Sequence, residues 1–517
     1  MIKISCAIFI SAFFLLRPFT MQSTGLWYSG DDQNYFARAS ALSFGQFPSY
    51  KKEYYPGFNG GMQSIGPGIF AAPFVFVFSY LDRAEGSDIS KERSEKNIVG
   101  SWSQFGFVFS SVFYFCLACA LLYRVLSSIV GSSAAVWAVI LMVICQGMPL
   151  YAFRRPIFSH MAEFALQSIF ICVFLKNEMT SGGYIKQWWS YALLGIGASL
   201  IFLTRYNNIL FAVAWPLFFI IRDMGRGKIG LMIKRLFYVF IPFILVVAIF
   251  ELWPEIYNQR TPYGYGTAIS FLAVDAAWQN ILNRIVYVFN GPDWGLFYTA
   301  PFLLIGIISL VFLKVPWKRR LVFVSMPLLV NFYIIIVSGF QGDWYGYRYF
   351  IASAFPLFVF PLAFLLDRMD KHGWGAWKWG LMLLALLPVM SMWCFEEYNT
   401  NLSLLPSFFG RVVWGNPTYQ LIVWKTLIAQ KGWFFALYQG GVQYFCYLFY
   451  KTLMFLNIPM SHSLNYDDFF FQTQILALTL PFKLKILIRV LLIYSLPFLT
   501  GWFFSKNAVA HIKNRPA

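Results

Sequence analysis

Two adjacent carboxylates, Asp31 and Asp32, follow the first hydrophobic run of a chain in which only 12% of residues are charged. A carboxylate held at a water–lipid boundary can take the proton of a sugar hydroxyl as general base, provided it lies within hydrogen-bond reach. Neighbouring side chains rarely aim at one atom. One acid is therefore expected to act as base, and the other to orient it or to ligate a divalent cation such as Mg or Mn. The plainer alternative is a pair of N-terminal acids favoured there by capping and by the helix dipole. The stretch from Tyr35 to Phe47 lets Phe36, Ala39, Leu42 and Ser43 share one helical face resting on the membrane.

Basic residues form the second ingredient. Arg154 and Arg155 precede Pro156 and His160, Arg205 lies in a polar turn, and Arg348 closes the run Gly342-Asp343-Trp344-Tyr345-Gly346-Tyr347-Arg348. Guanidinium groups bind phosphate oxygens in a fork and, at low dielectric, stabilise a phosphate leaving group. Taken singly, each Arg can instead snorkel to lipid headgroups. His160 and Glu163 stand i, i+3 on a helix; with no second His nearby, a structural hydrogen bond is expected there in preference to a metal site. Exposed aromatics such as Trp27, Tyr54 and Trp294 read as a membrane-interface belt. Asp343, Trp344, Tyr347 and Arg348 are singled out as site residues, because charge, ring and glycine alternate in so short a loop.

The elements that must position these groups are membrane helices. A chain of 517 residues that is 59% hydrophobic and 21% aromatic lies outside the soluble range. Its net charge of +18 comes from short Lys/Arg clusters between apolar runs, which fits the positive-inside rule better than nucleic-acid binding. Most of the cysteines fall inside apolar runs, so no disulfide framework is expected. Runs able to cross a bilayer lie near 2–20, 101–123, 132–150, 160–176, 188–204, 207–221, 236–253, 295–313, 320–338, 350–367, 377–394 and 484–504, with 188–221 read as two spans joined by a tight turn at 204–208. The run 65–81 carries Gly66, Pro67, Gly68 and Pro73, which break or delay a helix. Counting it as a span would also place the later basic clusters outside. It is therefore expected to be interfacial or re-entrant, within an external loop 21–100. Three regions follow: a transmembrane module 1–394, an external aromatic-rich region 395–483 with its likeliest interfacial helix over 434–456, and a last span with a basic cytoplasmic tail, 484–517. No Gly-rich phosphate loop with Lys-Ser/Thr is present, so no nucleotide is required.

On the residues Asp31-Asp32-Gln33-Asn34-Tyr35 and Ile65-Gly66-Pro67-Gly68, the chain resembles the GT-C superfamily of polytopic glycosyltransferases, whose donor is a polyprenyl-phosphate sugar. In general architecture it is most similar to the serotype-converting glucosyltransferases of bacterial O-antigen. The resemblance implies an all-α, GT-C-like bundle of about 12 transmembrane helices in the bacterial inner membrane, with both termini cytoplasmic and the site facing the periplasm. It makes Asp31 the base, with Asp32 and Tyr35 beside it. The chain lacks the Lys that precedes the Pro motif in the aminoarabinose-transferring members, so Arg205 and Arg348 are the expected phosphate contacts. The implied activity is inverting transfer of a hexose, glucose first, from undecaprenyl phosphate to a hydroxyl of lipid-linked O-antigen or a similar glycan. The alternatives are an O-antigen polymerase or ligase, which would leave the acids dispensable, and a lipid-linked glycan transporter or flippase, which calls for ionisable residues deep in spans.

Overall fold

The computed structural model describes residues 1–15, 30–48, 64–87, 101–154, 159–179, 187–224, 229–257, 278–290, 295–338, 348–373, 375–400, 488 and 491–503. Every regular element among them is helical. In chain order they include α1 (Ile2–Leu15), α2 (Gly30–Ser43), α3 (Gly66–Ala84), α4 (Trp102–Leu126), α5 (Ser132–Val139), α6 (His160–Met179), α7 (Trp188–Thr204), α8 (Ile209–Met224), α9 (Ile229–Val247), α10 (Trp278–Asn290), α11 (Pro301–Ser309), α12 (Val315–Ser338), α13 (Arg348–Lys371), α14 (Trp377–Thr400) and α15 (Leu491–Phe503). Five-residue π-helical turns extend α5 and α9, at Ile140–Ile144 and Ala248–Leu252, and a third stands at Leu150–Arg154.

Helix thus lies within each of the twelve apolar runs over the residues described. Among the described residues three helices are long and apolar enough to cross a membrane: Trp102–Leu126, Ile229–Leu252 and Phe350–Lys371. Their burial differs sharply, at 72%, 6% and 89% of the apolar window, which puts α13 at the centre, α4 close to it and α9 on the rim. The main core joins α1, α4, α5, α6, α11 and α13, with Phe115, Phe164, Phe302 and Phe355 fully buried. Between apolar helices in lipid, such contacts hold by packing and by hydrogen bonds, because lipid tails are as apolar as the side chains.

α3 shows how proline is accommodated in the segment after α2. Pro67 sits in its first turn, where a missing N–H costs nothing, and Pro73 is accommodated inside; no break occurs over its 19 residues. The interfacial or re-entrant segment expected at 65–81 is a continuous helix seated against α2 and α4. The α3–α4 junction is fixed by Asp82, which is buried and accepts the Trp102 and Ser103 backbone N–H groups at 2.6 and 2.7 Å and the Ser103 hydroxyl at 2.7 Å. Ser101 caps the same helix by accepting the Gln104 N–H at 3.0 Å.

α2 departs from expectation. The face carrying Phe36 and Ala39 is buried inside the protein and does not rest on the bilayer: the Phe36 ring meets Phe107 edge-on at 5.6 Å, and the Ser43 hydroxyl donates to the carbonyls of Ala39 and Ala72. An apolar face serves a helix partner as well as it serves lipid, and α3 with α4 supplies the partner. α14 runs on to Thr400, past the boundary placed at 394, because Phe395-Glu396-Glu397-Tyr398 keeps helix-compatible residues. Residues 401–480, including 434–456, and the loop 339–347 lie outside the described residues, as does the tail beyond 503.

Candidate functional site

The tight turn expected at 204–208 is present, and several helices converge on it. α7 ends at Thr204, Arg205 is extended (φ −163°, ψ 132°), Tyr206–Asn208 form one 3-10 turn, and α8 begins at Ile209. The turn is tied down locally. The Ser64 hydroxyl donates to the Thr204 carbonyl at 2.6 Å, the Thr204 hydroxyl to the Ile201 carbonyl at 2.6 Å, and the Arg205 N–H to the Phe202 carbonyl at 3.1 Å. The start of α3 presses so closely on this end of α7 that a Cβ on Gly66 would stand 2.4 Å from the Leu203 carbonyl oxygen. One step along, Gly68 admits Arg38 of α2, whose side chain is buried.

From this turn the Arg205 side chain, only 10% exposed, reaches the first turn of α6. Its Nη1 lies 3.4 Å from Glu163 Oε2 and 3.5 Å from His160 Nδ1. Glu163 is fully buried, and its other oxygen accepts the Ser353 hydroxyl of α13 at 2.5 Å. Behind Ser353 stands the Gln167 amide at 3.4 Å, and the Trp215 indole N–H of α8 donates to Gln167 Oε1 at 3.0 Å. The His160 ring packs on Tyr151 of the 150–154 π-turn, with centroids 4.9 Å apart. A polar chain thus crosses the bundle from α8 through α13 and α6 to the 204–208 turn.

The next residue of the turn makes a second such contact. The Tyr206 hydroxyl donates to Glu251, which is buried on the Ala248–Leu252 π-turn. Phe250 and Trp253, on either side of Glu251, meet the ring of Phe47, just beyond α2, at 5.8 and 5.5 Å. π-turns recur at functional sites because the extra residue re-aims a side chain. Here the Ala248–Leu252 turn holds the acid bonded to Tyr206, and the Leu150–Arg154 turn carries the ring that packs on His160.

Of the expected site residues, the structure brings His160 and Arg205 into direct contact. Tyr35 is buried in a small apolar cluster with Phe202 and Leu203, against which Tyr206 packs, so α2 and the 204–208 turn share one packing unit. Asp31 and Asp32 lie in the first turn of α2, and Arg154 and Arg348 end the 150–154 π-turn and begin α13; the side chains of these four are outside the described set. Arg155, Asp343, Trp344 and Tyr347 lie outside the described residues altogether.

Among the described residues no three His, Cys, Asp or Glu side chains gather into a metal-binding group, and His160 and Glu163 face a cation instead. The described side chains therefore offer a divalent cation no ligand set. Sequence reasoning missed Ser353 and Trp215, which carry no signal in their apolar runs, and Arg38. Gln167 was accessible: an amide four residues after Glu163 in an apolar run stacks on the same helical face.

Comparison with protein-family models, with curated proteins and with solved structures returns no match for this chain. The fold and site together define a helical protein with membrane-spanning capacity and a buried, charged crossing point.

Proposed function

We propose that this protein is an inverting, GT-C-type glycosyltransferase of about 12 spans that moves a hexose from undecaprenyl phosphate to a hydroxyl of a lipid-linked surface glycan. Asp31 deprotonates the acceptor hydroxyl as its oxygen attacks the anomeric carbon. The bond from that carbon to the phosphate oxygen breaks, and the configuration inverts. Asp32 orients Asp31, and Arg205 with Arg348 stabilises the departing lipid phosphate, with Arg154 and Arg155 in support. The observation that carries this reading is the placement of a nearly buried arginine, Arg205, at a turn that packs in one unit with the helix bearing the acidic pair. A cation in such a low-dielectric position stabilises developing phosphate charge far better than one in water.

The buried acids Glu163 and Glu251 favour a second reading, a lipid-linked glycan transporter, in which intramembrane carboxylates line the path. Purified protein in liposomes separates the two. With labelled polyprenyl-phosphate hexose and a lipid-linked glycan acceptor, a transferase moves label into the glycan. Label that crosses to the opposite leaflet still attached to the polyprenyl phosphate, with none entering the glycan, supports the transporter and overturns the proposal.

A further inference from the structure

The contacts of Glu163 are unequal. Its carboxylate is held at 2.5 Å by the Ser353 hydroxyl but stands 3.4 Å from Arg205, while His160 stands off at 3.5 Å on the same Nη1. A docked guanidinium–carboxylate pair closes to about 2.7–2.9 Å. The carboxylate is therefore anchored on α13, and its contact with the Arg205 Nη1 is the longer of the two. Glu163 keeps its Ser353 hydrogen bond independently of Arg205, and its charge lowers the positive field that Arg205 presents to an incoming anion.

We infer that Glu163 is the resting counter-ion of Arg205, exchanged for the phosphate group of a lipid ligand when that ligand binds. This rests on the assignment of Arg205 as the phosphate contact. Free of ligand, the pair avoids an isolated buried cation, whose desolvation is costly. On binding, the phosphate takes over the Nη1 donor that Glu163 now faces. Ser353, backed by Gln167 and Trp215, keeps the carboxylate in place and hydrogen-bonded. Glu163 is thus a positioning residue that sets phosphate affinity and release through Arg205. Such a counter-ion speeds departure of the product lipid phosphate, because it is ready to re-pair with the arginine.

The test is direct binding of undecaprenyl phosphate, without sugar, to the full chain in detergent. Removing the competing charge with Glu163→Gln is expected to tighten binding at least about tenfold, or 1.4 kcal/mol. Glu163→Asp retains the charge and stays within about threefold of wild type. Ser353→Ala releases the carboxylate to close on Arg205 and weakens binding. Ser353→Ala keeps the inference testable should Glu163→Gln fail to fold. A merely structural Glu163 leaves binding weakened or unchanged in Glu163→Gln, or unchanged in Ser353→Ala; either result overturns the inference. Wild-type protein that binds neither undecaprenyl phosphate nor inorganic phosphate overturns it together with the assignment of Arg205. Protein that binds and responds as expected yet transfers no hexose refutes the transferase alone.

Discussion

Arg205 stands 3.4 Å from Glu163, joining the α7–α8 turn to the first turn of α6 across 42 positions of chain. Its neighbour Tyr206 is bonded to Glu251, so two buried acids, Glu163 and Glu251, grip consecutive residues of one turn. Charge placed in an apolar span is costly unless it is paired. Here the pairing fixes a turn that packs with the helix bearing the acidic pair.

Removing Arg205 leaves Glu163 buried without its cation. Arg205→Gln is expected to destabilise the protein by about 3–5 kcal/mol. Adding Glu163→Gln to it removes the stranded charge, and thermal unfolding in detergent should show the double variant more stable than Arg205→Gln alone.

Tyr206→Phe deletes the hydroxyl that donates to Glu251 and is expected to cost about 1–3 kcal/mol. Glu251→Gln retains an acceptor oxygen and should cost less. The ranking is checked by the midpoint of heat-induced aggregation of the two variants in the same detergent.

Gly66→Ala sets a methyl 2.4 Å from the Leu203 carbonyl, a backbone atom that cannot turn aside. It should cost about 1–3 kcal/mol and lower phosphate-lipid binding, because the 204–208 turn shifts with Leu203. Gly230→Ala serves as the control. Nothing lies within 4 Å of its Cβ, and in α9 it should be neutral or stabilising by up to about 1 kcal/mol.

Asp82→Ala leaves two N–H groups and the Ser103 hydroxyl without their shared acceptor and removes a negative charge from the start of α4. A loss of about 2–4 kcal/mol is expected, with Asp82→Asn intermediate. Hydrogen exchange of the Trp102 and Ser103 amides should rise in both.

Helix placement was legible because length and apolarity mark it residue by residue, and the turn at 204–208 was legible because Thr204-Arg205-Tyr206-Asn207-Asn208 interrupts an apolar run. Partners were not. Ser353 lies 190 positions from Glu163, and no local pattern marks it as the hydroxyl that anchors the carboxylate. The buried face of α2 was misassigned to the bilayer because Phe36 and Ala39 suit lipid and protein alike; only the packing of Phe107 against Phe36 decides between them. The prolines of α3 do not interrupt its helix. Pro67 stands in the first turn, where its missing N–H costs nothing, and Pro73 is accommodated in mid-helix without a break.

The most direct test of the central claim is hexose transfer by Asp31→Asn protein, with Asp32→Asn beside it, in membranes carrying labelled polyprenyl-phosphate hexose and a lipid-linked glycan. The account predicts that Asp31→Asn inserts, binds donor and transfers nothing. Normal transfer by both variants would contradict it and move the search for function to the arginines of a polymerase or ligase.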